Sequence, residues 1–247
     1  MPLPRPDPPP PEVSIVAPVY DEAGAAPALA REIAAAFEGV DYEMLFVDDA
    51  SRDDTAARLE ALKAELPRLR LLRHAANAGQ SRAIRTGVLA ARAPLVVTLD
   101  GDGQNDPADA PRLYRRLAAA PASLGMIGGL RAKRQDSLAK KLASRIGNGV
   151  RKRLLKDGAD DTGCGLKAFR RDAFLKLPYF DHLHRYLPAM MLREGYEIAF
   201  EPVGHRPRMT GASKYTNLGR LAASASDLLG VLWLARRARP PGLIEER

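Results

Sequence analysis

The sequence predicts an α/β protein, a single domain with a mostly parallel sheet and helices on both faces, and three observations predict it. Short apolar, β-rich runs alternate with helical stretches through the first half of the chain, an order that right-handed crossovers turn into a parallel sheet. With 247 residues the chain can build one sizeable core, so one large domain is expected rather than two small ones. Polar and acidic residues follow the apolar runs directly, and the carboxyl ends of strands are where open α/β sheets bind ligands.

Taken in order, residues 1–12 read MPLPRPDPPPPE and are expected to be a disordered, polyproline-like tail. They lack the apolar stretch of a signal peptide, so no export is expected. Val13–Pro18, Glu43–Val47, Leu69–Arg73 and Leu95–Leu99 read as buried strands. Helical stretches lie between them, around Pro27–Phe37, Thr55–Leu66 and Ser81–Ala91. The pattern then becomes mixed: a helix near Asp109–Ala119, a strand near Leu124–Gly128, a basic helix, and short strands at Cys164–Phe169 and Ile198–Pro202. A final helix is expected from about Leu218 to Arg239. No internal repeat is present.

Composition narrows the function. The chain is 46% hydrophobic and 28% charged, as in ordinary globular domains, and no run of 18 apolar residues predicts a spanning helix. A single cysteine, Cys164, excludes an internal disulfide and fits a reducing compartment. The net charge of +8 is concentrated: Arg131 to Lys156 holds ten Lys or Arg residues and one acid, Asp136. Such a patch is either a solvated helix face or a surface for an anionic membrane, a phosphate-bearing substrate or nucleic acid. No nucleic-acid motif accompanies it and aromatics make up only 6% of the chain, so nucleic acid is not an expected partner.

The most informative segment is Asp100-Gly101-Asp102-Gly103-Gln104, directly after the fourth apolar run. Spaced oxygen ligands at a strand end can hold a hard divalent cation. The loops after the first two strands, Pro18-Val19-Tyr20-Asp21-Glu22 and Asp48-Asp49-Ala50-Ser51-Arg52-Asp53, end on the same edge. Asp48 or Asp53 could cap the following helix. The adjacent pair Asp48-Asp49 at a buried strand end needs hydrogen-bond donors, which a nucleotide base would offer. Elsewhere, His182-x-His184 with the lone Cys164 makes a poor zinc set, and the histidines are assigned to local structure or acceptor contacts in a mobile loop. Asp160-Asp161-Thr162-Gly163-Cys164-Gly165 either shapes an acceptor pocket through its glycines or forms a tight turn, Asp161 being its better functional candidate. No paired histidine supports Cys164 as a nucleophile.

An ordered set of motifs carries a family resemblance from about Val13 to Tyr215. They are Pro18-x-Tyr20-x-Glu22, Val47-Asp48-Asp49-x-Ser51, Asn77-Ala78-Gly79-Gln80, the Asp100 pentad, Gly129-Leu130-Arg131, Ser144-Arg145-x-x-Asn148, Asp161-Thr162-Gly163 and Arg208-x-x-Gly211-x-Ser213-Lys214-Tyr215. With them the chain resembles family 2 glycosyltransferases of the GT-A fold, most closely the dolichol-phosphate mannose synthases and their bacterial polyprenyl-phosphate relatives. The resemblance implies that Pro18, Tyr20, Glu22, Val47 and Asp49 line the base and ribose pocket of a nucleotide sugar. It implies that Asp100, Gly101 and Asp102 continue along ribose and diphosphate, and that Asp102 and Gln104 coordinate Mg²⁺ or Mn²⁺. Arg131, Arg208 and Lys214 would supply charge to the donor diphosphate and the acceptor phosphate, making them with Asp102 the catalytic set. Ser144 would reach the acceptor phosphate with Arg131 and Lys140, which stands where the relatives carry Arg and so lacks the bidentate fork.

The expected reaction is sugar transfer from a GDP- or UDP-linked donor to a polyprenyl phosphate such as undecaprenyl phosphate, with inversion, for envelope glycan or lipid modification. A phosphate monoester has a second pKa of about 6, so near neutral pH it is already a nucleophile and needs no strong base. A transferase onto a saccharide hydroxyl would need a carboxylate for the proton. A non-catalytic nucleotide-sugar-binding subunit would lack metal ligands. The division expected is a tail at 1–12, a glycosyltransferase domain at 13–215, and an amphipathic membrane-interface helix and tail at 216–247. In that helix Asp227 to Ala235 is apolar with Trp233 and ends at Arg236, Arg237 and Arg239, which suits an anionic membrane interface, although a helix packed on the sheet gives the same pattern. The protein is therefore expected to be cytoplasmic and peripheral on the inner face of the cytoplasmic membrane, with a small membrane protein supplying spanning helices as a further partner.

Overall fold

A computed structural model describes residues 9–131, 149, 151–159, 161–206 and 217–238. Seven strands form one sheet: β1 (Val13–Val19), β2 (Tyr42–Asp48), β3 (Leu69–Arg73), β4 (Leu95–Thr98), β5 (Leu124–Arg131), β6 (Lys167–Arg170) and β7 (Glu197–Val203). Their spatial order is β3-β2-β1-β4-β6-β5-β7. Every neighbouring pair is parallel except those made by β6, which runs antiparallel to β4 and to β5. The carboxyl ends of β1 to β5 and the amino end of β6 therefore share one edge.

The helices are α1 (Ala26–Ala36), α2 (Thr55–Ala61), α3 (Gln80–Ala90), α4 (Ala110–Ala118), α5 (Arg171–Lys176), α6 (Leu183–Arg193) and α7 (Asn217–Arg237). Residues 151–155 are helical as well. One expected helix is shorter than its apolar pattern: α2 ends at Ala61, and Leu62–Ala64 tightens into a 3₁₀ turn. The strand expected at Cys164–Phe169 is displaced, because residues 161–166 form the turn that feeds β6. The last residues of the proline-rich segment are attached to the fold: Glu12 N–H donates to Asp41 O at 2.9 Å and Tyr114 Oη donates to Glu12 at 2.5 Å.

Sheet alternation divides the core in two. Val13, Ile15, Ala17 and Val19 face Leu29, Ile33 and Phe37 of α1 and Leu113 and Leu117 of α4. Val16, Leu45 and Val47 face Ala83, Ile84 and Val88 of α3, in the same cluster as Phe169, Phe174, Leu187, Met190 and Met191. Strands β1 and β2 are buried over their whole length, which is why they read as continuous rather than alternating apolar runs. Gly87 lets α3 approach β1 closely, since a Cβ there would stand 2.4 Å from Val16 Cγ1.

A buried carboxylate secures the amino-terminal edge. Glu43 in β2 accepts from Ser14 Oγ (2.7 Å), Arg92 N–H (2.7 Å), Arg70 Nη1 (2.6 Å) and Arg92 Nε (3.0 Å). Burial opposes its ionisation, but the Arg92 N–H, the Ser14 hydroxyl and Arg70 prevail and hold it below the usual carboxylate range.

Candidate active site

At the carboxyl edge, the loops after β1 to β4 are joined side by side. Asp21 N–H donates to Ser51 Oγ (2.9 Å), Arg52 N–H to Asp21 Oδ1 (2.7 Å) and Glu22 N–H to Thr55 Oγ1 (2.8 Å), tying the first loop to the second. Asp53 accepts from Thr55 N–H (3.0 Å) and Ala23 N–H (3.1 Å), so it both starts α2 and braces the first loop. Of the residues expected to line a base and ribose pocket, Pro18 and Val47 are buried neighbours in the β1–β2 register, Glu22 is buried, and Tyr20 is half-buried at the rim.

The donors required by Asp48 and Asp49 come from the chain itself, which corrects the argument that their burial calls for a base. Asp48 accepts from Ser51 N–H (3.0 Å) and pairs with Arg73 at 3.1 Å. Asp49 accepts from Ala78 N–H (2.9 Å) and Gly79 N–H (2.7 Å), and His74 Nδ1 lies 2.6 Å from its Oδ1. Asp49 thereby anchors the loop at the start of α3, where Gly79 adopts a φ of 86° that favours glycine.

The next residue, Gln80, reaches across to the pentad, donating Nε2 to Asp100 Oδ1 at 2.8 Å. The pentad is held from several sides. Asp100 N–H donates to Asn105 Oδ1 (2.9 Å) and Gln104 N–H to Asp102 Oδ1 (3.1 Å). Gly101 lies against β1, where a Cβ would meet Pro18 O at 2.5 Å. The chain after β7 returns to this loop: Asn105 and His205 form an antiparallel bridge, Arg206 N–H donates to Gln104 O (2.9 Å), and Arg206 Nη2 pairs with Asp106 (2.8 Å). Burial and the neighbouring Asp102 carboxylate push Asp100 up to about 6. Two hard oxygen donors that repel each other at a strand end suit a divalent cation completed by phosphate oxygens and water, as Mg²⁺ sites commonly are. Among the described residues no group of three His, Cys, Asp or Glu side chains could hold a metal alone.

Across β6 lies a second cluster. Arg131, at the end of β5, grips Asp161 through Nε–Oδ2 (2.6 Å) and Nη2–Oδ1 (2.7 Å), both side chains being mostly buried. Gly165 touches Asp100: a Cβ there would stand 2.2 Å from the Asp100 carboxyl carbon. Sequence reasoning missed Lys167, which is 4% exposed and donates its ammonium to the Cys164 carbonyl. Burial pushes this lysine below its ordinary value, partly countered by Cys164, Asp100 and Asp161. The available signal was a lone charge in the apolar run Leu166-Lys167-Ala168-Phe169. Lys140, Ser144, Arg208 and Lys214 lie outside the described residues, as does most of the basic stretch. Of that stretch, Arg151 turns inward to Asp157 and the Ala159 carbonyl, and Arg131 is committed to Asp161, so these two of its cations are already paired within the fold.

His182 and His184 serve local structure, one of the two roles expected of them. His182 precedes α6 in the left-handed region (φ 64°), and His184 lies within the helix. His182 Nδ1 is 2.7 Å from Asp227 of α7, while His184 Nδ1 is 2.7 Å from Ser81 Oγ at the start of α3. Burial, with Lys167 and Arg185 nearby, holds His184 well below its ordinary pKa and keeps it neutral. Cys164 is buried and its thiol is pushed up by that burial, against a nucleophilic role.

Residues 14–177 match the family model for glycosyl transferase family 2. An undecaprenyl-phosphate 4-deoxy-4-formamido-L-arabinose transferase of Sodalis glossinidius is 39% identical over 228 residues, 90% of this chain and 68% of that protein. Its counterpart in Klebsiella pneumoniae is 38% identical over 231 residues, 91% of this chain and 68% of the relative. Among solved structures, glucosyl-3-phosphoglycerate synthase of Mycobacterium tuberculosis, bound to Mn²⁺, uridine diphosphate and glucosyl-3-phosphoglycerate, superposes with a TM-score of 0.69. That match covers 94% of this chain and 82% of the synthase at 17% identity, a likeness of fold alone. The mostly parallel seven-stranded sheet is thus a GT-A fold, and the chain belongs to glycosyl transferase family 2 as an enzyme of glycosyltransferase type.

Proposed function

We propose that the protein transfers a sugar from a GDP- or UDP-linked donor to a polyprenyl phosphate, such as undecaprenyl phosphate, with inversion at the anomeric carbon. The observation that carries this reading is the Arg131–Asp161 pair facing the Asp100–Asp102 strand end. Asp161, the carboxylate opposite the pentad, already accepts two hydrogen bonds from Arg131 and is poorly placed to take a proton. A saccharide hydroxyl acceptor would need such a base; a phosphate acceptor needs none. The two relatives named as undecaprenyl-phosphate sugar transferases support the same acceptor class.

In this reading Pro18, Tyr20, Glu22, Val47 and Asp49 form the floor and wall of the nucleoside pocket, with Asp100 and Gly101 continuing toward the diphosphate. Asp102 and Gln104 would hold Mg²⁺ or Mn²⁺. When bound, the cation supplies positive charge to a leaving diphosphate. Arg131 adds a fixed guanidinium at the same edge, and Arg208 and Lys214 are assigned to the diphosphate with it. Arg131, Lys140 and Ser144 are assigned to the acceptor phosphate. Such preset charge stabilises the departing nucleoside diphosphate where its negative charge develops.

Attachment to the inner face of the cytoplasmic membrane belongs to the same proposal. No helix among the described residues is long and apolar enough to cross a membrane. α7 buries Val231 against the domain but exposes Leu229 and Trp233, with the Arg237 guanidinium 5.4 Å from the Trp233 ring centre. An aromatic beside a basic helix end suits an anionic interface. The test is transfer of label from a panel of radiolabelled GDP- and UDP-sugars to undecaprenyl phosphate, with and without Mn²⁺. Label is expected in the organic phase for one donor and only with the metal; label that stays in water with every donor sinks the lipid reading.

A further inference from the structure

Lys167 occupies the middle of the sheet, and no step described above uses it. Its backbone pairs with Thr98 of β4 and Gly128 of β5, and its side chain is closed off from solvent. A buried ammonium is costly to keep, and an apolar residue of similar size would often serve the core as well. What this one holds is the carbonyl of Cys164, within the turn 161–166. That turn makes two contacts with the candidate site. Gly165 packs against the Asp100 carboxylate and is itself fixed by Thr98 Oγ1, which donates to its carbonyl at 2.8 Å. Asp161 holds Arg131. Around Lys167 stand Asp100, Asp161 and Arg131, with Asp102 beside Asp100. Two cations thus meet three carboxylates, a set that still accommodates a divalent cation.

We propose that Lys167 is a positioning residue for the transfer: from inside the sheet its ammonium fixes the 161–166 turn, which seats Asp100 against Gly165 and Arg131 against Asp161. The cation and diphosphate subsites then form as one unit. Lys167 touches no substrate in this arrangement and acts through the turn. The inference rests on the metal–nucleotide reading of the edge given above.

The experiment titrates Mn²⁺ into the purified full chain with UDP or GDP present, following free Mn²⁺ by its electron paramagnetic resonance signal. Wild type, Lys167→Met, Lys167→Arg and Asp102→Asn are compared. Lys167→Met is expected to weaken nucleotide-dependent Mn²⁺ binding by roughly tenfold or more, as loss of an outer-shell partner commonly does. Its melting temperature is expected to fall, because the Cys164 carbonyl loses its donor and nearby carboxylates lose a cation, so melting is followed alongside to show that the variant is folded at the assay temperature. Lys167→Arg, which keeps donor and charge, is expected to recover most of the binding. A folded Lys167→Met that binds Mn²⁺ and nucleotide as wild type does overturns the proposal. Should Lys167→Met not fold, hydrogen exchange on the wild type decides: coupling is reciprocal, so Mn²⁺ with nucleotide must slow exchange in residues 161–166, and unchanged exchange overturns the proposal. Failure of the wild type to bind Mn²⁺ with either nucleotide overturns the metal–nucleotide reading itself, and this inference with it.

Discussion

Replacing Gly165 by alanine isolates one contact at the proposed site. Gly165 does not occupy the left-handed region, so its backbone accepts a side chain. The added Cβ would stand 2.2 Å from the Asp100 carboxyl carbon and Oδ2 and 2.3 Å from Oδ1, whereas ordinary contact begins near 3.4 Å. The two groups must therefore separate by about 1.2 Å, the difference between 3.4 and 2.2. Because the carboxyl carbon itself is struck, the whole Asp100 side chain must swing about its Cα–Cβ bond, at the ordinary cost of overpacking, about 1–3 kcal/mol. The rotation breaks the Gln80–Asp100 hydrogen bond and takes Asp100 out of line with Asp102. A misplacement of about 1 Å at reacting groups can cost on the order of 10²-fold in rate, and that is the expected loss in kcat/KM for transfer to undecaprenyl phosphate. Gly163→Ala is the comparison: its Cβ would press on the Arg131 Nη2 atom at 3.0 Å and make ordinary contact with Asp161 Oδ1 at 3.5 Å, and a much smaller loss is expected. Kinetics on both variants, with thermal melting alongside, provide the measurement. Wild-type kcat/KM in Gly165→Ala would refute the assignment of Asp100, and an unfolded Gly165→Ala would refute the claim that the carboxylate yields.

Asp102→Asn is expected to cut turnover by at least about a thousandfold, the equivalent of several kcal/mol of lost charge stabilisation, and to abolish Mn²⁺ binding; retained turnover removes the metal role. Glu43→Gln should lower stability by about 1–3 kcal/mol near neutral pH by disrupting a buried hydrogen-bond centre. Because the folded state holds Glu43 below its ordinary value, its contribution is present above that range and disappears as pH falls through it. Urea unfolding between pH about 5 and about 3 should therefore lose stability less steeply in the variant, and identical slopes would contradict the linkage. Leu229→Asp with Trp233→Ser should reduce co-sedimentation with phosphatidylglycerol vesicles about tenfold or more, each side chain being worth at least about 1.5 kcal/mol when buried. Undiminished sedimentation would move the membrane contact away from α7.

Strands β1 and β2 were legible because burial on both faces turns them into continuous apolar runs; Leu69–Arg73 has the bounds its pattern predicts, but it is an edge strand in which only Leu69 is buried, not the buried strand expected. The pentad was legible because its chemistry lies in adjacent residues. What escaped were pairings between distant ones. Asp49 finds Ala78 and Gly79 nearly thirty positions away, and Arg131 finds Asp161 at the same remove. Residue types alone do not announce such partners. The helix at Leu183–Arg193 was missed although Leu183, Tyr186, Leu187, Met190 and Met191 follow helical spacing, since Pro188 and the histidines obscured it. His184 illustrates the result: of the two roles expected for it, local structure and acceptor contacts in a mobile loop, the structure shows the first, a buried contact with Ser81 that residue type alone does not name.

The ion pair between Arg131 and Asp161 also pins the two ends of a long excursion to one point on the sheet edge, thirty positions apart. For a chain with its ends already together, closure entropy grows only logarithmically, about 0.6 kcal/mol for each doubling of length. The cost of bringing Arg131 to Asp161 therefore depends only weakly on how many residues separate them in sequence. The ion pair is thus a clasp that fixes where the chain leaves β5 and where it returns toward β6, so this side of the site edge is set by two side chains rather than by the sequence between them.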